Sequence, residues 1–149
     1  MINKVDLSSL IPLMEEVFAS GGEFTITPGG NSMRPMLYGG RDSVTLVKPQ
    51  GRLKKYDLPL YLRADGAFVL HRVVKVLPDG YVMRGDCVVS KEYGITDKDI
   101  IGVVKRFTRK GKAFTVKNRV YRIYCRFWNF FSILRRFVMH FNKQRSIDL

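Results

Sequence analysis

Gly30-Asn31-Ser32-Met33-Arg34-Pro35 sets a serine in a glycine-led turn, and His71-Arg72-Val73-Val74 sets one of the chain's two histidines in a strand-like run. A serine hydroxyl is a weak nucleophile near neutral pH unless a neighbouring base takes its proton. The pair therefore points to acyl transfer, provided that the fold brings the turn and the run together. A histidine, with an ordinary pKa of about 6.5, is better matched to general-base work near neutrality than a lysine at about 10.4. The other histidine, His140, falls on the basic side of a C-terminal segment and reads as solvated or headgroup-facing.

The elements that must position this pair are mostly strands. With 149 residues, 46% of them hydrophobic, the chain can bury one core but not two independent ones. Asp6 can cap a helix whose face holds Leu7, Leu10, Ile11, Met14, Val17 and Phe18; Pro12 lies deeper than is ideal, and Gly21-Gly22 ends it. From Glu23 the pattern changes to short runs rich in Val, Thr, Phe and Tyr. Strands are expected at Phe24 to Thr27, Ser43 to Lys48, Leu58 to Arg63, Phe68 to Leu77, Tyr81 to Arg84, Ile101 to Thr108 and Ala113 to Val116. Asp65-Gly66, Pro78-Asp79-Gly80 and Lys110-Gly111 are hairpin turns between them. The fold class expected is mainly β: a coiled antiparallel domain over 23–116, preceded by a helical segment over 1–22 and followed by a basic amphipathic helix and tail over 117–149.

In order along the chain, Gly30-x-Ser32-Met33-x-Pro35-x-Leu37, Asp42-x-Val44, Asp57 with Tyr61, His71-Arg72-Val73-Val74, Gly85-Asp86 and Ile101-Gly102-x-Val104 resemble the motif boxes of the signal peptidase I and LexA-like superfamily of serine peptidases. The resemblance covers roughly residues 24 to 107. Where most bacterial signal peptidases and the LexA-like proteins carry a lysine base, this chain has His71, which is similar to the endoplasmic-reticulum and archaeal type. The resemblance implies Ser32 as nucleophile, His71 as general base and Asp86 as the acid that orients it. Glu92 stands six residues further on, where histidine-type enzymes often carry a second acid, and can replace or support Asp86. A carboxylate behind an imidazole fixes its tautomer and orientation. The oxyanion donor is expected to be the backbone N–H of Ser32, with Asn31 as a weaker alternative, since Gly30 has no hydroxyl to offer. Met33 and Leu37 read as the lining of a small apolar substrate groove or, alternatively, as core. The chain departs from the family pattern at Tyr56, where a glycine is usual before Asp57, and at Cys87, where an asparagine is expected.

The net charge is +13, and eight of the 26 Lys and Arg residues lie from Lys117 onward, beside a single acid, Asp148. There, Val120, Ile123, Tyr124, Phe127, Phe130, Phe131, Leu134, Phe137, Val138 and Phe141 recur at helical spacing, with Arg122, Arg126, Asn129, Arg136, His140 and Lys143 on the other side. Such a helix can lie on an anionic membrane, with Arg122, Arg126, Trp128, Phe131, Arg135 and Arg136 as contacts, or it can pack on the domain or on a second copy. Nucleic acid ranks last among partners, because a regular apolar stripe wants burial. Spanning a membrane needs roughly 20 apolar residues; the greasiest run, Phe127 to Leu134, stops at Arg126 and Arg135, so no transmembrane helix is expected. The N-terminus shows no signal-peptide pattern. Cys87 and Cys125 are far apart, suggesting neither a disulfide framework nor a metal site, so no metal or cofactor is expected. Together these features lead us to expect a cytoplasmic protein, with peripheral contact at the inner face of the membrane as a refinement.

The function expected is cleavage of a peptide or pre-protein by a Ser/His mechanism. Two alternatives differ in class: an idle peptidase-like module that binds a membrane or protein partner, and a LexA-like self-cleaving regulator. The second is disfavoured, since no helix-turn-helix precedes Ser32 and no Ala-Gly or Cys-Gly bond stands upstream of it.

Overall fold

The computed structural model describes residues 7–131. Helix α1 (Leu7–Ala19) turns Met14 and Phe18 inward and contains Pro12. It ends where Gly21, at φ +75°, and Gly22 return their N–H groups to the carbonyls of Phe18 and Val17, a glycine stop that satisfies the last turn. The proposed Asp6 cap lies outside the described residues.

Among the described residues nine strands follow, β1 (Phe24–Ile26), β2 (Ser43–Val47), β3 (Pro59–Leu62), β4 (Phe68–Leu70), β5 (Arg72–Leu77), β6 (Gly80–Arg84), β7 (Glu92–Ile95), β8 (Ile100–Arg109) and β9 (Lys112–Thr115), and then α2 (Arg119–Phe130). They form two antiparallel sheets. One has the order β1-β2-β8-β3-β4, with β9 beside β8; the other has the order β5-β6-β7. All three expected hairpins are present, joining β3 to β4, β5 to β6 and β8 to β9.

Two differences from the sequence reading bear on the site. The single run expected over Phe68 to Leu77 is broken at His71: β4 pairs with β3 in the first sheet and β5 with β6 in the second. His71 is the residue at which the chain changes sheets. Strand β7 has no counterpart among the expected runs, because Gly94, at φ +80°, interrupts what would otherwise read as a β pattern.

The larger core gathers Met14 and Phe18 of α1, Val44, Leu46, Leu60, Val104 and Phe107 of the first sheet, and Tyr121 and Cys125 of α2. A smaller core of Leu53, Tyr61, Val73, Tyr81, Met83 and Ile95 fills the seam towards the second sheet. Met33, Met36 and Leu37, each 3% exposed, belong to the larger core. This corrects the groove reading of Met33 and Leu37. Each buried side chain of this size contributes about 1.5–3 kcal/mol, and the three together pin the turn at 32–36 so that Ser32 is left part-exposed.

Candidate active site

Ser32 opens the turn that runs to Met36, in which Arg34 N–H donates to Asn31 O and Leu37 N–H to Met33 O. Its carbonyl accepts the Cys87 N–H at 2.7 Å, which ties the turn to the segment after β6. Gly85 explains how close these segments come. A Cβ built on it would lie 2.7 Å from Ser32 O and 3.0 Å from His71 Nε2. Serine carbonyl and imidazole therefore sit no farther apart than the sum of those distances, on either side of a space that only glycine leaves open. Ser32 Oγ makes no hydrogen bond among the described residues, and catalytic hydrogen bonds commonly tighten only in the Michaelis complex. The Ser32 N–H likewise has no acceptor among them, as an oxyanion donor requires. Asn31 is exposed, and its side chain makes no hydrogen bond among the described residues.

His71 is 5% exposed. Its Nδ1 stands 3.3 Å from Glu92 Oε1 and 3.3 Å from the Tyr61 hydroxyl. Tyr61 donates to Glu92 Oε2 at 2.9 Å, and Arg63 holds both carboxylate oxygens with Nε and Nη2. Tyr61 comes from β3 of one sheet and Glu92 from β7 of the other, so the site is built across the seam at which His71 sits. A carboxylate on the Nδ1 side places the proton of the neutral imidazole on Nδ1 and leaves Nε2, the nitrogen that faces Gly85, as the basic one.

The electrostatics agree with that assignment. Burial pushes the His71 pKa below its ordinary 6.5, and the charge of Glu92 only partly offsets it, so the imidazole is neutral and able to accept a proton at neutral pH. Burial raises the Glu92 carboxyl, but hydrogen bonds from Arg63 and Tyr61 and the Arg63 charge more than reverse this, keeping it ionised. Burial, followed by the hydrogen bond to Glu92, raises the Tyr61 phenol, which remains a donor.

Asp86, preferred by the sequence reading as the acid behind His71, is occupied elsewhere. Its carboxylate receives Arg72 Nε at 2.8 Å and Nη2 at 2.7 Å, and the Tyr124 hydroxyl at 2.9 Å. A fully buried guanidinium needs a carboxylate facing it, and Arg72 is 0% exposed, so Asp86 serves Arg72 and reaches His71 only through its charge. Glu92 takes the orienting position. Glu92→Gln is expected to slow the reaction of Ser32 with a serine-directed fluorophosphonate about 10²–10⁴-fold; an unchanged rate would remove Glu92 from that role.

The sequence reading used Arg72 only as part of a motif and did not single out Tyr61 or Arg63 as site residues. Tyr61 in β3 and Arg63, the residue after the strand ends, are two apart and both reach Glu92; that alternation within the expected run was the available signal. Tyr56, at the position where the motifs that the sequence resembles have glycine, sits at φ +79°, a left-handed conformation in which glycine carries no Cβ penalty.

Of the residues expected to contact a membrane or partner, Arg122 and Arg126 are exposed and Phe131 is 44% exposed. Trp128 is turned inward instead: its Nε1–H donates to Asp86 O at 2.7 Å. Arg135 and Arg136 lie outside the described residues, as does His140. Among the described residues no helix is long and apolar enough to cross a membrane. No family model, no curated protein and no solved structure matches this chain.

Proposed function

We propose that this protein is a serine endopeptidase of the Ser/His type, acting on a peptide or pre-protein. The observation that carries the reading is the convergence on Gly85 of the Ser32 turn and His71 Nε2, with Glu92 behind Nδ1. Ser32 Oγ attacks the scissile carbonyl while its proton passes to His71 Nε2, giving a tetrahedral adduct whose oxyanion is held by the Ser32 N–H. His71 then gives that proton to the leaving amine, and the acyl-enzyme forms. Water, deprotonated by His71 in turn, releases the acid and restores Ser32. Glu92, braced by Arg63 and Tyr61, stabilises the imidazolium in both halves. Incubation with a peptide library, followed by mass spectrometry of new termini, is expected to show cleavage by the wild type and none by Ser32→Ala. Identical products from both proteins, or none from either, would refute the reading.

A second element of the reading concerns where the enzyme works. The outward side of α2 shows Val120 at 75%, Phe127 at 60% and Phe130 at 82% exposure, beside the exposed Arg119, Arg122 and Arg126 and with no acid in the helix. An apolar face flanked by arginines suits an anionic bilayer surface; a second copy would bring the same positive charges against it. Flotation with phosphatidylglycerol-containing vesicles is expected to carry the wild type and to lose an Arg122→Glu/Arg126→Glu variant, whereas equal flotation on pure phosphatidylcholine would contradict the charge argument.

A further inference from the structure

We infer that helix α2 is a positioning element of the active site, and that Tyr124 and Trp128 set the Ser32–His71 geometry through Asp86; this rests on the peptidase reading above.

The inner side of α2 directs its polar atoms at two short segments. One is Arg72, the residue after His71: its Nη1 donates to the Tyr121 hydroxyl at 2.8 Å and to Cys125 Sγ at 3.0 Å. The other is Arg84 to Asp86, on both sides of Gly85. Arg84 Nη2 donates to Asn129 Oδ1 at 2.8 Å, Tyr124 OH to Asp86 Oδ2 at 2.9 Å, and Trp128 Nε1 to Asp86 O at 2.7 Å. The next residue, Cys87, sends its N–H to Ser32 O. The helix is thus bonded to the neighbour of the base and to the segment that carries the nucleophile's turn, and Asp86 joins the two through its bidentate pair with Arg72. Stacking continues the contact, with Tyr121 on Tyr124 and Tyr124 on Trp128 at ring separations of 6.4 and 5.8 Å.

Tyr124 and Trp128 reach the site through Asp86. Their effect is on separation and angle, to which acyl transfer is sensitive: a misplacement of about 1 Å costs on the order of 100-fold in rate. A helix that covered only apolar side chains would carry no donors on this face; this one also meets the buried Arg72–Asp86 pair. Here, two aromatic residues with donor groups meet the carboxylate and the carbonyl of a single residue.

The test uses the full chain and a fluorophosphonate that labels reactive serines, with the labelling rate resolved into a binding constant and a maximal rate. Tyr124→Phe keeps its ring and removes one donor; Trp128→Phe removes the other donor and keeps an aromatic ring, smaller than the indole. Each is expected to lower the maximal labelling rate of Ser32 roughly tenfold with the binding constant unchanged, at temperatures where melting curves show both variants folded. Hydrogen exchange at the Cys87 amide is expected to speed up in both. Labelling at the wild-type rate in the folded variants overturns the inference even if their melting points fall. If wild-type Ser32 is not labelled at all, the peptidase reading fails and this inference fails with it; unchanged Cys87 exchange would then show separately that the helix does not order that segment.

Discussion

Ser32→Ala and His71→Ala are each expected to lower kcat for peptide cleavage by about 10⁴–10⁶-fold, and the double variant to be no worse than either single one. The non-additivity follows from the division of labour. Without His71, the Ser32 proton has no acceptor, since Glu92 faces the other ring nitrogen and is already held by Arg63 and Tyr61. Without Ser32, His71 has no nucleophile to activate. What remains in both cases is the Ser32-position N–H as an oxyanion donor and whatever binding the substrate retains, which supports a small residual rate. Steady-state kinetics on a peptide found by the library experiment measures this. Independent, multiplying losses would mean that the two residues do not act as a unit.

The parts of the fold written in local chemistry were legible from the sequence, and the parts set by long-range pairing were not. Asp65-Gly66, Pro78-Asp79-Gly80 and Lys110-Gly111 each encode a turn in neighbouring residues, and each joins the two strands expected of it. The break at His71 has no such local mark. Leu70, His71 and Arg72 read as one continuous β run, and only the partners, β3 for one half and β6 for the other, divide it. The choice between Asp86 and Glu92 failed for a related reason. Both acids follow His71 at plausible distances, and what separates them is Arg72, whose burial claims Asp86.

Helix α2 was visible as a periodicity, but its orientation was not. It carries two aromatic sets: Tyr121, Tyr124 and Trp128, which have a donor group, and Phe127, Phe130 and the C-cap residue Phe131, which have none. Counting apolar residues favours burying the phenylalanines. The buried Arg72–Asp86 pair reverses this, because buried charges take hydrogen bonds from whatever packs on them, and so the set with hydroxyl and indole groups faces in.

Asp86→Asn is expected to destabilise the fold by about 3–5 kcal/mol, the range for removing one partner of a buried ion pair, lowering the melting midpoint by about 10 °C or more. Arg72 is left with its other contacts, the Tyr121 hydroxyl, Tyr56 O, Cys125 Sγ and Met36 Sδ, none of which carries a compensating negative charge as a carboxylate does. Glu92→Gln is expected to cost far less stability, because Glu92 is only part-buried, with 23% of its side chain exposed, and water can replace what Arg63 loses. The two acids are thus separated by stability: urea or thermal unfolding should show a large loss for Asp86→Asn, whereas Glu92→Gln should lower kcat with little loss of stability. Equal losses of stability would contradict the assignment of Asp86 to the buried pair and Glu92 to the base.

The central claim, that His71 activates Ser32, is tested most directly by the pH dependence of fluorophosphonate labelling, with the adduct located by mass spectrometry. His71 works in its neutral form, and burial lowers its pKa; the rate should therefore rise with pH through a single deprotonation below 6.5 and level off above it, with the adduct on Ser32. His71→Ala should abolish both the labelling and its pH dependence. An adduct on another residue, or wild-type labelling that His71→Ala leaves unchanged, would contradict the account.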